Sequence, residues 1–142
     1  MIIKQLSLFL ENKPGHLARA CQILADAGLN VESMALADTE QFGILRFLIR
    51  DWEKARQVLT DAGAMPRVTD VLAIAVPNRP GGLVSLLSAL DGSTVNIEYM
   101  YGFNSPKLAQ SVIVLRLDDP QQGIRRFQEA NVRILTEDEL FD

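Results

Sequence analysis

The stretch ENKPGHLARACQILADAGLNVESM fills residues 11–34, and 66 positions later PNRPGGLVSLLSALDGSTVNIEYM fills residues 77–100. Both stretches contain an Asn-x-Pro-Gly corner and an Asn-x-Glu-x-Met run in the same register. Further along the chain the offset becomes 68, where Asp51 corresponds to Asp119. Chance similarity between amphipathic segments would match leucines but not polar corners, so the sequence indicates an internal repeat.

Each copy changes its apolar spacing from that of a strand to that of a helix. Leu6, Leu8 and Leu10 alternate with other residues, which is typical of a strand. From Pro14 onward the apolar residues recur on one helical face, and Pro14 suits the first helical position because its missing N–H needs no partner there. The first copy therefore predicts strands at 4–12, 29–37, 42–50 and 67–69, one helix from Pro14 to a stop at Gly28, and another at 51–63.

The second copy repeats this order of elements. It predicts strands at 71–77, 95–103, 110–117 and 132–136, with helices at 80–89 and 120–130. The order β-α-β-β-α-β is the ferredoxin-like arrangement. We predict an α+β protein with two such units in tandem, at 1–69 and 70–142, each an antiparallel sheet with both helices on one face. The acidic end TEDELFD, at 136–142, predicts a frayed terminus.

Composition and charge argue against several classes of protein. The 142 residues are 48% hydrophobic and 23% charged, as in folded soluble domains. The net charge is −4 and the basic residues are scattered, so we predict no nucleic-acid binding. No nucleotide-binding glycine motif is present, so no cofactor is predicted. A single cysteine, the lack of a signal peptide and the lack of a membrane-length apolar run predict a cytoplasmic protein.

Catalytic and metal-binding chemistry find little support in the sequence. His16 is the only histidine and Cys21 the only cysteine, so these two residue types cannot build a metal cluster. His16 has no nucleophile paired with it that would make it a general base. Cys21 lies on the apolar face of the first predicted helix, where a buried and inert thiol is expected. We therefore predict no catalytic residues and no metal ligands.

The repeated corner joins a predicted strand to a predicted helix. The helix amino terminus there presents N–H groups and the positive end of its dipole to an anion. Asn12 and Asn78 add amides that both donate and accept, and Asn30 and Asn96 begin the next predicted strand near the same corner. This combination favours a site for the carboxylate and amino group of a small zwitterion. Asn before Pro-Gly also serves ordinary turns and helix caps, so duplicated turn chemistry is the competing interpretation.

The two quoted stretches resemble the opening halves of ACT domains, small βαββαβ modules that bind amino acids and regulate amino-acid metabolism. The resemblance covers both repeats, in the layout of stand-alone tandem ACT proteins. In that family the ligands lie between two ACT units, against the strand-to-helix loop and the start of the second strand. The resemblance implies as ligand-binding residues Asn12, Pro14, Gly15, His16, Leu17, Asn30 and Val31 in the first unit, and Asn78, Gly81, Gly82, Leu83, Asn96 and Ile97 in the second.

The chain departs from the family pattern at two places. Some amino-acid-binding ACT domains have a histidine two residues before the loop asparagine, where this chain has Leu10 and Val76. The sequence therefore does not name the amino acid. The second loop has Gly82 where the first has His16, so the two sites need not be equivalent.

The resemblance implies a non-enzymatic regulatory protein that binds an amino acid where ACT units meet and that forms a homodimer of tandem chains. The alternative is a ligand-independent regulatory subunit or interaction module that docks on an amino-acid biosynthetic enzyme, such as an acetolactate synthase-like partner. A small enzyme on the same fold is a third hypothesis, because fold alone does not decide function. It ranks behind the others because neither repeat contains an acid–base pair.

Overall fold

The computed structural model describes residues 1–141, which form two compact units. The first unit comprises Lys4–Thr69 together with Phe141, and the second comprises Asp70–Leu140 together with Met1–Ile3. The strands within residues 1–141 are β1 (Ile3–Glu11), β2 (Ser33–Asp38), β3 (Phe42–Leu48), β4 (Arg67–Val76), β5 (Ile97–Ser105), β6 (Gln110–Leu117) and β7 (Arg133–Ile134). The helices are α1 (His16–Asp26), α2 (Trp52–Asp61), α3 (Gly82–Ser88), α4 (Pro120–Glu129) and α5 (Glu137–Leu140).

The first unit packs α1 and α2 against one face of an antiparallel sheet. β3 lies between β1 and β2 and pairs with both. Because side chains two residues apart share a face, the alternating leucines of β1 all point toward the helices, and Leu8 lies opposite the buried Leu45 of β3. α1 contributes Ala20 and Leu24 from one helical face. The core of this unit consists of Leu6, Leu8, Ala20, Leu24, Leu45, Phe47, Ile49, Ala55 and Leu59.

The second unit repeats this arrangement. β6 lies between β4 and β5 and is antiparallel to both, and β7 also pairs with β4. A bulge interrupts the register of β5 between Ile97 and Tyr99. α4 begins at Pro120, and the Gln122 backbone N–H donates a hydrogen bond to the Asp119 carboxylate at 3.1 Å. The core of this unit consists of Leu72, Ile74, Val76, Leu86, Leu115, Leu117 and Phe127.

These two units confirm the predicted α+β class and the tandem ferredoxin-like architecture, although some predicted boundaries are wrong. α1 begins at His16, because Gly15 takes a left-handed conformation with a φ of 88° and acts as the N-cap. Pro14 therefore lies in the turn before the helix and not at its first position. β2 begins at Ser33, where its ladder with β3 starts, so Asn30 precedes this strand rather than beginning it.

β4 is one strand of ten residues, whereas the sequence predicts separate strands at 67–69 and 71–77. The two segments join because no turn residue separates them, and Asp70 continues the extended chain. Its apolar part from Val71 to Val76 is buried throughout. Continuous burial of this kind explains why β4 lacks the alternation that marks β1.

The acidic end of the chain is ordered through Phe141, so the predicted frayed terminus is wrong for 136–141; Asp142 lies outside the described residues. The Thr136 N–H donates to Glu139 Oε2 at 2.9 Å, and the Glu139 N–H donates to Thr136 Oγ1 at 3.3 Å. This reciprocal pair is a capping box at the start of α5. It positions Leu140 and Phe141, which are only 2% and 3% exposed.

Candidate functional site

Asn12 anchors the corner of the first unit to the turn between β2 and β3. Its side-chain Nδ2 donates a hydrogen bond to the Glu40 carbonyl oxygen at 2.8 Å. Its backbone N–H donates to the Gln41 carbonyl oxygen at 2.9 Å. Both donors of Asn12 thus stabilise the local structure, which agrees with the turn interpretation for this residue.

Gly15 leaves the amino terminus of α1 open. Its carbonyl oxygen accepts a hydrogen bond from the Arg19 backbone N–H at 3.0 Å, which closes the first helical turn. In the part of the chain that the structure describes, no side chain caps this helix. A Cβ at Gly15 would meet no atom within 4 Å. The His16 N–H already donates to the Lys13 carbonyl oxygen at 3.4 Å, so the open corner offers a ligand the later N–H groups of the first turn and the positive end of the dipole.

A pocket of about 630 Å³ opens beside this corner and is built from the first unit alone. Its apolar walls come from β1, α1 and α2, for example from Leu8, Ile23 and Leu59. His16 and Arg19 are the basic side chains at the pocket, and both are exposed. No acidic side chain is among its lining residues. The pocket therefore combines an apolar interior with positive charge at its rim.

The carboxyl end of α2 forms the other side of this pocket. The turn after α2 contributes Ala62, Gly63 and Ala64, and Gly63 takes a φ of 88°. The Gly63 N–H donates to the Thr60 carbonyl oxygen at 3.0 Å, and the Ala64 N–H donates to the Leu59 carbonyl oxygen at 3.0 Å, as in a Schellman turn. Carbonyl groups and the negative end of the α2 dipole lie at this side. The pocket thus lies between a positive and a negative helix end.

An exposed ion pair flanks the corner. Lys13 Nζ lies 3.1 Å from Glu11 Oε2. The hydrogen bond and the charge of Lys13 lower the pKa of Glu11, and the charge of His16 adds a smaller effect in the same direction. Exposed pairs of this kind contribute little to stability. Lys13 is nevertheless matched by a carboxylate, while Arg19 has no ion-pair partner among the residues that the structure describes.

The corner of the second unit is narrower. A Cβ at Gly82 would lie 2.2 Å from the Pro77 carbonyl oxygen, so the chain closes on itself here. The adjoining pocket measures about 290 Å³, and its polar lining includes Ser85, Gln110 and Arg133. Gln110 Oε1 is buried without a hydrogen-bond partner in the described structure. Arg133 Nη2 lies 3.1 Å from Glu139 Oε1, so its charge is already matched.

The structure brings together three of the seven residues predicted for the first site. Pro14, Gly15 and His16 line the pocket. Leu17 and Val31 instead pack against the core of the unit. Asn12 bonds to the β2–β3 turn, and Asn30 is exposed in the segment before β2.

The residues predicted for the second site are more dispersed. Gly82 lines the 290 Å³ pocket, whereas Asn78 lines a separate pocket of about 230 Å³ beside the β5–β6 hairpin. The Asn96 backbone N–H donates to Asp118 Oδ1 at 2.8 Å, and Ile97 packs against the core. Gly81 is the N-cap of α3, and Leu83 is exposed on that helix.

Sequence analysis misses Arg19 and the turn at 62–64, which both line the first pocket. Arg19 follows His16 by three residues, so helical periodicity alone places the two basic side chains on neighbouring positions of one face. No comparable signal marks the turn, because it reaches the corner through the packing of α2 against α1. Sequence spacing does not encode that contact.

Within residues 1–141, no group of three or more His, Cys, Asp and Glu residues is placed to hold a metal ion. The helices of this same part of the chain are all too short or too polar to span a membrane.

A family model described as the ACT domain pair matches residues 1–142. The chain therefore belongs to the ACT domain pair family, which confirms the resemblance drawn from its two corners. Among curated proteins, none matches this sequence.

Solved structures with the same architecture include the crystal structure of protein BT0572 from Bacteroides thetaiotaomicron. It is 36% identical, with a TM-score of 0.93 over 100% of this chain and 97% of that one. The regulatory subunit of aspartate kinase from Thermus thermophilus, in its ligand-free form, is 16% identical, with a TM-score of 0.63 over 89% of this chain and 91% of its own. The corresponding subunit from Thermus flavus is 16% identical, with a TM-score of 0.62 over 90% and 92%. At this identity the two kinase subunits share the fold with our chain.

Proposed function

We propose that this chain is a non-enzymatic, cytoplasmic regulatory protein and that it binds an amino acid in the pocket of the first unit, a location within one unit that differs from the place between units that the resemblance implies. The observation that carries this proposal is the position of the pocket between the amino end of α1 and the carboxyl end of α2, over an apolar floor. An amino acid has a carboxylate for the first end and an ammonium group for the second. The 290 Å³ pocket of the second unit also lies between the amino end of α3 and the carboxyl end of α4, but it is smaller and its lining arginine, Arg133, is paired with Glu139.

The pocket's side chains favour an amino acid with an aliphatic side chain. Arg19 and His16 lie at the end where a carboxylate meets the first N–H groups of α1. Leu10, Ile23 and Ala64, which line the pocket and are only partly buried, offer apolar surface to the ligand's side chain. An acidic ligand side chain would find only this apolar surface, where burial of an unpaired charge is unfavourable. We therefore expect small aliphatic amino acids to bind more tightly than aspartate or glutamate.

The regulatory part of the proposal extends what two structural relatives are named for, the regulatory subunits of aspartate kinase. Ligand binding would regulate by stabilising one conformation or assembly over another, since a ligand shifts an equilibrium only through a difference in affinity between states. The alternative function is a ligand-independent subunit that docks on a biosynthetic enzyme such as an acetolactate synthase-like partner; the same relatives' names agree with it only in the words regulatory subunit. The two functions differ in whether an amino acid binds to and stabilises the isolated chain.

The test is a panel of thermal melts and calorimetric titrations with each common amino acid at millimolar concentration. A ligand at about 100 times its Kd adds roughly 2.7 kcal/mol to the free energy of unfolding, which raises Tm by several degrees. Arg19→Ala should weaken binding of the effective ligand about tenfold or more, because it removes a charged hydrogen-bond donor. Arg125→Ala, at an exposed arginine of α4, is the matched control and should leave Kd unchanged.

Two outcomes would contradict the proposed function. If no amino acid raises Tm, then the residues of the corner only stabilise the turn. The chain is then better explained as a subunit that docks on an enzyme. If an amino acid binds but Arg19→Ala and Arg125→Ala leave Kd equally unchanged, then the ligand lies outside the first pocket.

A further inference from the structure

α3 has an exposed apolar side that the fold does not bury. The large apolar residues that are exposed on the described helices all belong to α3, namely Leu83 at 42%, Val84 at 64% and Leu87 at 37%. Residues at these spacings lie side by side on a helix, so they form one strip, the α3 strip. The helix, GLVSLLS, contains no charged residue, whereas a solvated helix face usually carries charge.

The corresponding helix of the first unit has no such strip. In α1 the equivalent positions are Leu17, Ala18 and Cys21, and Leu17 packs against the core of its own unit. α1 also carries Arg19 and Asp26 on its surface. The α3 strip is therefore not a requirement of the fold. Exposed apolar surface that a fold does not require indicates an interface.

Opposite charges lie at the two ends of α3. Arg79 precedes Ser85 by six residues, and Asp91 follows it by six. Leu83 and Leu87 lie two residues before and after the same serine. Both charged residues are exposed, and their side chains make no ion pair within the described residues. The positive end of one copy of α3 would therefore meet the negative end of a second copy if the two helices ran in opposite directions.

We propose that the α3 strip joins two copies of this chain about a two-fold axis that crosses the helix at the level of Ser85, on the side that carries Leu83, Val84 and Leu87. In this antiparallel arrangement Leu83 of one copy lies against Leu87 of the other, and Arg79 lies near Asp91 of the other. Each contact occurs twice, as in every two-fold interface. The two antiparallel helix dipoles attract each other. Because α3 contains no charged residue, the contact buries no charge of the helix itself. Binding to a different protein would not require opposite charges at equal distances from Ser85. This charge complementarity therefore favours a second copy of the chain as the partner. The proposal does not depend on ligand binding.

The first test is sedimentation of the full chain without ligand. The wild-type chain should be dimeric at micromolar concentration. Leu83→Asp should raise the dimer Kd about 100-fold or more, since the change occurs at two symmetric contacts and each should cost about tenfold. Leu36→Asp is the matched control, because Leu36 is 52% exposed on β2 and lies outside the strip. It should leave Kd within about threefold of the wild-type value.

The second test exchanges the terminal charges and distinguishes a direct contact from a loss of structure. Arg79→Asp and Asp91→Arg should each weaken the dimer, because each places like charges opposite each other at both symmetric contacts. The double variant restores opposite charges and should return Kd to within about threefold of the wild-type value. Arg125→Asp, at an exposed arginine of α4, is the charge control and should change Kd little.

The proposal is wrong if the wild-type chain is monomeric at about 100 μM, in which case the strip serves another protein. It is also wrong if Leu36→Asp dissociates the dimer and Leu83→Asp does not. Weakening in the double charge variant equal to the sum of the two single effects would exclude the Arg79–Asp91 pairing and with it the proposed axis. Circular dichroism melts of each variant verify that the chain remains folded.

Discussion

Gly82 shows how a single missing side chain determines the shape of a corner. Its Cβ would lie 2.2 Å from the Pro77 carbonyl oxygen, a backbone atom that cannot rotate away. Gly82→Ala should therefore lower the free energy of unfolding by about 1–3 kcal/mol in urea denaturation. Gly43→Ala is the control: its Cβ would lie 3.2 Å from Leu36 Cδ1, the end of an exposed side chain, so a change within about 1 kcal/mol is expected. Equal losses in the two variants would contradict the steric explanation.

Asn12 marks the limit of sequence analysis at the residue scale. Its repetition in the second corner favours ligand binding, although duplicated turn chemistry explains the repetition as well. The structure shows its side chain bonded to the Glu40 carbonyl oxygen, a partner 28 residues away. A partner that distant depends on how β1 pairs with β3, and local pattern does not report that register. Arg19, by contrast, is predictable from helical spacing, because it follows His16 by three residues and lines the same pocket.

α5 is the element whose stability depends on one carboxylate. The backbone hydrogen bond from Thr136, and then the hydrogen bond from Arg133, lower the pKa of Glu139 below the ordinary value of 4.5. A carboxyl whose pKa is lower in the folded state stabilises the fold above its ordinary pKa, and that stabilisation is lost as pH falls through the folded value. Glu139 is exposed enough that the effect on global stability is small.

Glu139→Gln should therefore reduce protection of the Leu140 amide from hydrogen exchange at pH 7, since this amide donates to the Thr136 carbonyl oxygen at 3.0 Å. Glutamine preserves the capping geometry and removes only the charge. The variant and the wild-type chain should converge as pH falls below 4.5. Protection ratios taken at each pH measure this effect. A constant difference between the two proteins across the pH range would show that the charge of Glu139 is not the cause.

The elements that sequence predicts best are those that follow a simple period or carry a local start signal. β1 alternates, and α4 begins at a proline preceded by a capping aspartate, Asp119. The acidic composition of α5 wrongly predicts a frayed end, although Thr136 and Glu139 have the spacing of a capping box. The turn at 62–64 carries no such local signal, since only its tertiary position beside α1 makes it part of the pocket. Local signals thus predict elements, and the packing between elements determines the site.

At the scale of the whole molecule, duplication has preserved the architecture and changed the surfaces. Both units have a strand-to-helix corner that begins with a left-handed glycine, Gly15 or Gly81. The first corner then presents His16 and Arg19 to a large pocket, whereas the second presents Gly82 and Ser85 to a pocket less than half that volume. The second unit instead exposes the α3 strip. This division favours ligand binding by one unit and self-association by the other.

The same asymmetry predicts that each chain binds one amino acid and not two. The second pocket has no free basic side chain comparable to Arg19, because Arg133 is paired with Glu139. Calorimetric titration of the effective amino acid should therefore give a stoichiometry of one per chain. Arg19→Ala should weaken this single binding event, while Gln110→Leu, in the second pocket, should leave both Kd and stoichiometry unchanged. A stoichiometry of two, or a loss of half the sites in Gln110→Leu, would show that the second unit retains a ligand site despite its closed corner.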